Sequence, residues 1–194
     1  MKDADEALHC ELDAADGWCR GARILRSPNC DARPAGVAVD LLVIHAISLP
    51  PGEFGGPYID ALFLDRLDTA AHPYFAGLAG LRVSAHFLVD RAGRITQYVS
   101  TLERAWHAGV SRFEGRERCN DFSIGIELEG TDDTSFPAAQ YAGLVGLTRT
   151  VRTAHPRITP ARIVGHSDVA PGRKTDPGPH FDWERYRAAL ADGC

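Results

Sequence analysis

Apolar positions along the chain fall into short continuous runs and helical repeats, separated by segments rich in Gly, Pro and polar residues. Leu41 to Ile44 is an unbroken apolar run, in part β-branched, and predicts a strand buried on both faces that ends in His45. Leu49 to Pro57, reading LPPGEFGGP, predicts a flexible loop directly after it. Tyr58 to Leu67 repeats Ile59, Leu62, Phe63 and Leu67 at helical spacing, with a break at His72-Pro73. Val83 to Val99 reads as two strands joined at Asp90-Arg91-Ala92-Gly93, where Gly93 can take a positive φ. Ile124 to Leu128, inside FSIGIELEG from Phe122 to Gly130, predicts another central strand. Ser135, Phe136 and Pro137 open a helix that runs through Tyr141, Leu144, Val145, Thr148 and Val151 to His155-Pro156. Thr159-Pro160 opens a short helix before the strand Ile163-Val164, and Asp182 caps a last helix with Trp183, Tyr186 and Leu190 on one face. Alternating strands and helices without repeats favour one α/β layered domain over residues 18–194, with residues 1–17, polar and acidic, as a loosely ordered leader.

The segment from Gly165 to Pro179, GHSDVAPGRKTDPGP, breaks this pattern. It gathers His166, Asp168, Lys174 and Asp176 where Gly and Pro oppose an ordinary helix or strand, and Pro171, Pro177 and Pro179 restrict the backbone around them. Imidazole and carboxylate are zinc ligands, and an ammonium stabilises a developing oxyanion. His45 and Glu127 each sit near the end of a predicted strand. Two His and one Asp for a metal, with a Glu left to activate water, make the inventory of an open hydrolytic zinc site. Spacing alone does not choose between Glu127 and Glu129, which strand alternation puts on one face unless the strand ends between them.

Composition narrows the substrate class. The chain has 194 residues, enough for one domain with a real core, and 21 basic residues scattered among 26 acidic ones leave a net charge of -5. That argues against nucleic acid and against a polybasic membrane surface, and favours a small-molecule or peptide substrate. The N-terminal stretch carries acids where an export signal has a basic flank and an apolar core, and no apolar run approaches a membrane span, so the expected compartment is the cytoplasm. The five cysteines, Cys10, Cys19, Cys30, Cys119 and Cys194, show no CxxC pairing and are expected to be free thiols.

From about Trp18 to Trp183 the chain closely resembles the AmpD-type branch of the type 2 zinc amidases, the 1,6-anhydro-N-acetylmuramyl-L-alanine amidases of cell-wall recycling. The segments that carry the resemblance are SPNCDARPAG from Ser27, LLVIHAISLPPGEFGGPYID from Leu41, HPYF from His72, LRVSAHFLV from Leu81, RAWHAGVSRFEGRERCNDFSIGIELEGT from Arg104, and the segment from Gly165. The resemblance implies a central mixed β-sheet flanked by helices, shared with phage lysozyme-type amidases and peptidoglycan recognition proteins. It implies Zn2+ held by His45, His166 and Asp176, a catalytic acid at Glu127, and Lys174 at the scissile carbonyl oxygen. Asp176 assigns the branch, since relatives in the wider family place a Cys there.

The implied substrate is an anhydro-muramyl peptide, cut between the sugar's lactyl group and L-Ala. Arg82 and Arg118 match positions that bind peptide carboxylates in the family, and Trp106 and Tyr74 match aromatic positions near sugar and peptide. His86 and His107 are read as structural or as supports of the ligands, and Asp168 as organising its loop. Ala46 departs from the family, which commonly has Asn after the first zinc His; this bears on turnover rather than on zinc. Two further readings compete: a peptidoglycan-binding module of the recognition-protein type without catalysis, against which the complete ligand set stands, and an exported amidase acting on intact peptidoglycan. No obligate protein partner is evident.

Overall fold

A computed structural model describes residues 10–192 of the chain. The main sheet has six strands, β1 (Arg23–Ile24), β2 (Leu41–Ile47), β3 (Phe87–Val89), β4 (Ile95–Gln97), β5 (Ser123–Glu129) and β6 (Ile163–Gly165), in the order β6-β2-β5-β3-β4-β1. β5 lies parallel to both β2 and β3, β6 is parallel to β2, and only the β3–β4 hairpin is antiparallel, so the sheet is mixed as expected. The helices are α1 (Tyr58–Phe63), α2 (Ala138–Ala154), α3 (His166–Val169) and α4 (Trp183–Ala191).

Side-chain alternation divides the sheet into two faces with different tasks. Leu42, Ile44, Phe87, Val89, Ile124, Ile126 and Leu128 point to one side, where Tyr141, Leu144, Val151, Tyr186 and Leu190 of α2 and α4 complete the principal core. The opposite face of β2 and β5 carries Leu41, Val43 and His45, and Ser123, Gly125, Glu127 and Glu129. The apolar faces of the sheet and of α2 therefore bury each other and leave the second face free to hold polar groups under loops.

The local signals act as their chemistry predicts, with shorter elements. Gly93 takes φ 82° in the β3–β4 turn, while Asp90 Oδ1 accepts the amides of Ala92 and Arg94 at 2.9 Å each. Asp182 caps α4 by accepting the Arg185 amide at 2.9 Å. α2 ends at Ala154, before His155-Pro156. The helix expected over Tyr58 to Leu67 stops at Phe63 because Asp65 turns into the left-handed region at φ 58°, and a 3-10 turn, Pro73–Leu78, follows the His72-Pro73 break.

Two expectations at the N-terminal side need correction. Of the proposed loose leader, residues 1–9 lie outside the described residues, but Glu11–Leu12 pairs with Cys19–Arg20 and the Cys10 side chain is buried in the core. That hairpin also joins Cys10 to Cys19 in a disulfide with Cα atoms 5.6 Å apart, within the ordinary range, so these two are not free thiols. Asp16-Gly17, with Gly17 at φ 73°, marks the turn of that hairpin, but a nine-residue spacing does not by itself announce the pairing. Cys30 and Cys119 remain free, and Cys194 lies outside the described residues.

α2 crosses the β3–β4 turn where a Cβ on Gly143 would fall on the carbonyl oxygen of Gly93, whereas a Cβ on Gly146 would meet nothing within 4 Å. Two glycines in one helix should therefore respond oppositely to Ala. Gly146→Ala is expected to raise stability by about 0.5 to 1 kcal/mol through helix propensity, and Gly143→Ala to lower it by about 1 to 3 kcal/mol through overpacking. Denaturant unfolding of the two variants checks the signs; equal shifts would mean that the helix does not sit on the turn.

Candidate metal centre

The parallel register of β2 and β5 sets His45 directly opposite Glu127. Both therefore emerge on the polar face at the ends of adjacent strands. His166 follows β6 immediately, in the one-turn helix α3 at the head of the segment whose irregularity the Gly and Pro content predicts. The chain then folds back. Lys174 N donates to Ala170 O at 3.0 Å and Ser167 N to Asp176 O at 3.0 Å, which returns Asp176 to the side of His166. Asp168 closes the same turn by accepting the Gly165 amide at 2.7 Å.

Three donor atoms converge there. His45 Nδ1 and His166 Nδ1 are 2.9 Å apart, and Asp176 Oδ2 stands 3.2 Å from the first and 3.0 Å from the second. Both imidazoles are buried and the carboxylate is largely so. A hydrogen bond on the far side assigns the tautomer of His166 and constrains that of His45. His166 Nε2 lies 3.2 Å from the Ala108 carbonyl, which can only accept, so its proton is on Nε2. His45 Nε2 lies 2.8 Å from His107 Nδ1, and His107 Nε2 lies 3.1 Å from Ser123 Oγ. Ser123 Oγ can donate or accept, so the relay runs in either direction; in the direction a metal at Nδ1 requires, with protons on the two Nε2 atoms, His45 Nδ1 is bare as well.

Two nitrogen lone pairs and an anionic oxygen thus face one point, an arrangement that repels itself unless a cation occupies the point. Burial keeps His45 neutral, pushing its pKa down to about 4 against the opposing hydrogen bond to Asp176. Burial works to raise the Asp176 carboxyl, yet with no cation at the point hydrogen bonds from the two imidazoles outweigh it and hold the group below the ordinary carboxylate range, a proton then taking the place that a metal would fill. Neutral imidazole and ionised carboxylate are the forms a metal requires. Ligands on tetrahedral zinc, with bonds of about 2.0 to 2.1 Å, stand about 3.3 Å apart. The observed triangle fits with a shift of a few tenths of an ångström.

Beside this point opens a cleft of about 230 Å³, lined by Ala46, Tyr74, Trp106, Glu127, His166, Lys174 and Asp176 among others. Glu127 is buried, and its Oε2 has no hydrogen-bond partner among the described residues. Burial, reinforced by the Asp176 charge and opposed by Lys174, raises its pKa well above the ordinary glutamate value. Arg82 lies over the Trp106 ring at 5.8 Å and donates to Asn29 Oδ1 at 3.1 Å, while the Trp106 indole donates to Asp31 Oδ1 at 3.2 Å. Neither Arg82 nor Arg118 is among the residues lining the cleft: Arg82 reaches its edge only through Trp106, and Arg118 stands further away. It pairs with Asp121 at 3.3 Å and borders a separate depression with Val110, Arg112 and Arg173.

A family profile described as N-acetylmuramoyl-L-alanine amidase matches residues 35–179, three quarters of the chain, including His45, Glu127, His166, Lys174 and Asp176. The chain belongs to that family. Among its relatives, a Citrobacter freundii protein named 1,6-anhydro-N-acetylmuramyl-L-alanine amidase AmpD is 59% identical over 175 residues, covering 90% of this chain and 93% of that one. The crystal structure of a selenomethionine AmpD derivative superposes with a TM-score of 0.89 at 58% identity, covering 92% of this chain and 98% of the other. The Escherichia coli amidase AmiD, in complex with anhydro-N-acetylmuramic acid-L-Ala-D-γ-Glu-L-Lys, reaches a TM-score of 0.58 at 31% identity, over 81% of this chain and 60% of its own. No helix among the described residues is long and apolar enough to cross a membrane.

Within this amidase the structure separates the two glutamates that spacing left open. β5 continues through Glu129, so both lie on one face, but only Glu127 lines the cleft. Glu129 turns to the loop after β2, accepting the Gly55 amide at 2.5 Å on Oε1 and the Arg91 amide at 3.4 Å on Oε2. The groups that sequence reading missed are those without a distinctive side-chain signature: the Ala108 carbonyl, Ser123, Arg173 and Asn120. A charge-assisted bond to a backbone amide contributes about 1.5 to 3 kcal/mol. Glu129→Ala should therefore speed hydrogen exchange of the Gly55 amide roughly 10- to 100-fold and leave the geometry of His45, His166 and Asp176 intact. Unchanged exchange at Gly55 would show that other contacts hold the loop.

Proposed function

We propose that the chain is a zinc-dependent 1,6-anhydro-N-acetylmuramyl-L-alanine amidase, cutting the amide between the lactyl group of anhydro-N-acetylmuramic acid and L-Ala of the stem peptide in peptidoglycan recycling. The observation that carries this reading is the convergence of two buried imidazoles and a largely buried carboxylate beside the Glu127 carboxylate, whose buried Oε2 has no partner among the described residues, in a chain similar to named AmpD amidases over nine tenths of its length. His45, His166 and Asp176 would hold the metal. Zinc so bound supplies Lewis acidity, polarising the groups that meet at its open position.

The remaining chemistry falls to the chain's own side chains. Glu127 takes a proton from the attacking water as its oxygen adds to the amide carbon, and returns that proton to the leaving nitrogen as the C–N bond breaks. The products are the muramyl carboxylic acid and the free amine of the peptide. A carboxylate raised by burial is a stronger base than an exposed one and, once protonated, a group fit to deliver the proton. Lys174 places its ammonium where charge accumulates on the carbonyl oxygen. Trp106 and Tyr74 offer aromatic surface to sugar and peptide, Arg82 binds a peptide carboxylate, and Arg118 acts on a part of the peptide that leaves the cleft. Ala46 lines the cleft without being a metal donor, so the lack of an amide side chain there bears on turnover rather than on metal binding.

The enzyme acts in the cytoplasm, on released fragments rather than on intact peptidoglycan, without nucleic acid, membrane or an obligate protein partner. The thiols of Cys30 and Cys119 suit that compartment; the Cys10–Cys19 pair lends it no support.

Zinc quantification together with hydrolysis of an anhydro-muramyl tripeptide tests the proposal. We expect one zinc per chain, loss of activity on chelation and its return with added zinc; a zinc-loaded protein inert toward the tripeptide would leave only a binding module. Glu127→Gln should retain the metal and lose about 10²- to 10⁴-fold in kcat. Lys174→Ala should lose about 10²-fold or more, mainly in kcat. A rise in KM at constant kcat would instead assign Lys174 to ground-state binding.

A further inference from the structure

We propose that the dipeptide His107-Ala108, pinned by Asn120, is a single brace that fixes ring orientation and tautomer of both histidine donors and so sets the metal affinity of the centre. This rests on the metal reading above and deepens it. Adjacent residues reach the two rings by different means. His107 presents Nδ1 to His45 Nε2 at 2.8 Å, and Ala108 presents its carbonyl to His166 Nε2 at 3.2 Å.

Each proton in this arrangement has one place. His45 can offer Nδ1 to a metal only if Nε2 carries the proton, and His107 Nδ1 must then accept it. The His107 proton is thereby sent to Nε2, where Ser123 Oγ accepts it at 3.1 Å. The Ala108 carbonyl, having no proton to give, imposes the same tautomer on His166. Outer partners of metal-bound imidazoles ordinarily are carboxylates, carbonyls or water, so an imidazole in this role makes the brace specific to the ring at position 107.

The dipeptide is itself held from several sides. Asn120 Oδ1 accepts the amides of His107 at 3.2 Å and of Ala108 at 2.8 Å, although Asn120 touches neither donor histidine. Arg173 Nη2 shares the Ala108 carbonyl at 2.6 Å and also binds Val110 O at 2.7 Å. Arg33 lies beneath, donating from Nη1 to the carbonyls of Asn120 at 3.1 Å and Asp121 at 3.2 Å. The His107 ring sits in a notch of β5 that exists because residue 125 is Gly: a Cβ there would come within 2.5 Å of the ring's Cγ.

Zinc dissociation constants, measured by competition with a chromophoric chelator, test the brace, with melting temperatures of the metal-free proteins as control. Asn120→Ala and His107→Phe should each weaken zinc about 10- to 100-fold, the usual effect of losing an outer partner. Asn120→Asp, whose carboxylate accepts the same two amides, should restore most of that loss. Ring ¹⁵N spectra of the zinc-loaded parent should show His45 and His166 protonated at Nε2, and in Asn120→Ala this pattern should blur for both rings together. Variants that bind zinc within twofold of the parent while melting earlier would overturn the proposal, since His107-Ala108 would then be a packing element only. If Asn120→Ala fails to fold, Ser123→Ala at the far end of the relay takes its place, and an unchanged zinc affinity there overturns the His45 arm. A parent chain that binds no zinc would defeat the metal reading itself, a different result from a parent that binds and variants that match it.

Discussion

The site depends on the parallel pairing of Leu41–Ile47 with Ser123–Glu129. Side chains on a strand alternate, so a slip of one residue between these strands would leave His45 and Glu127 on opposite faces. The register is strongly specified because the other face of both strands is apolar: Leu42, Ile44, Ile124, Ile126 and Leu128 are all at most 1% exposed beneath α2 and α4. Burying those side chains is the dominant favourable term in folding, and it fixes, as a by-product, which residues face the cleft. Core packing on one side of the sheet and chemistry on the other are the same choice of register.

Holding two bare imidazole nitrogens and a carboxylate oxygen within about 3 Å of one another is unfavourable for the protein alone, and the surrounding structure offsets that cost by holding the far nitrogen of each ring and the backbone of Asp176. His45 and His166 are locked from behind by adjacent residues, and Asp176 is returned by a loop closed through Ser167 and Asp168. Rigidity of this kind is what allows convergent donors to persist without collapsing into ordinary hydrogen bonds. The loops that carry the brace are held in two ways, by Arg33 donating to the carbonyls of Asn120, Asp121 and Ser123, and by a small apolar cluster in which Ala108, Cys119 and Phe122 pack with Leu41 and Val43.

The legible parts of the fold were those whose signal is local. Apolar periodicity located β2, β5, α2 and α4, Gly93 located the hairpin, and the Gly and Pro content of residues 165–179 marked the segment that delivers His166 and Asp176. The Cys10–Cys19 bond, the edge strand Arg23–Ile24 and the early stop of α1 were not legible, because two-residue strands and a left-handed Asp65 leave no periodicity to read. The identity of the donor set came from resemblance, and His107 and Asp168 are read as supports from the sequence, whereas the remaining supports could come from neither source. A backbone carbonyl such as that of Ala108 has no sequence signature, and Asn120 reads as an ordinary turn residue until its Oδ1 is seen between two amides.

Glu127 and Glu129 show how position along a strand divides one chemistry into two. They share a residue type, a strand and a face, and differ by two positions along the strand. Glu129 has backbone amides within reach, so its charge is satisfied and it serves as an anchor for the loop after β2. Glu127 has the metal donors across from it and no partner for Oε2, so its charge is left costly in a buried place. That unrelieved cost makes it a base, since a proton relieves it. The same absence of partners that a stability argument would count as a defect leaves the Glu127 carboxylate open to a proton, while Glu129 two positions on is committed to the Gly55 and Arg91 amides.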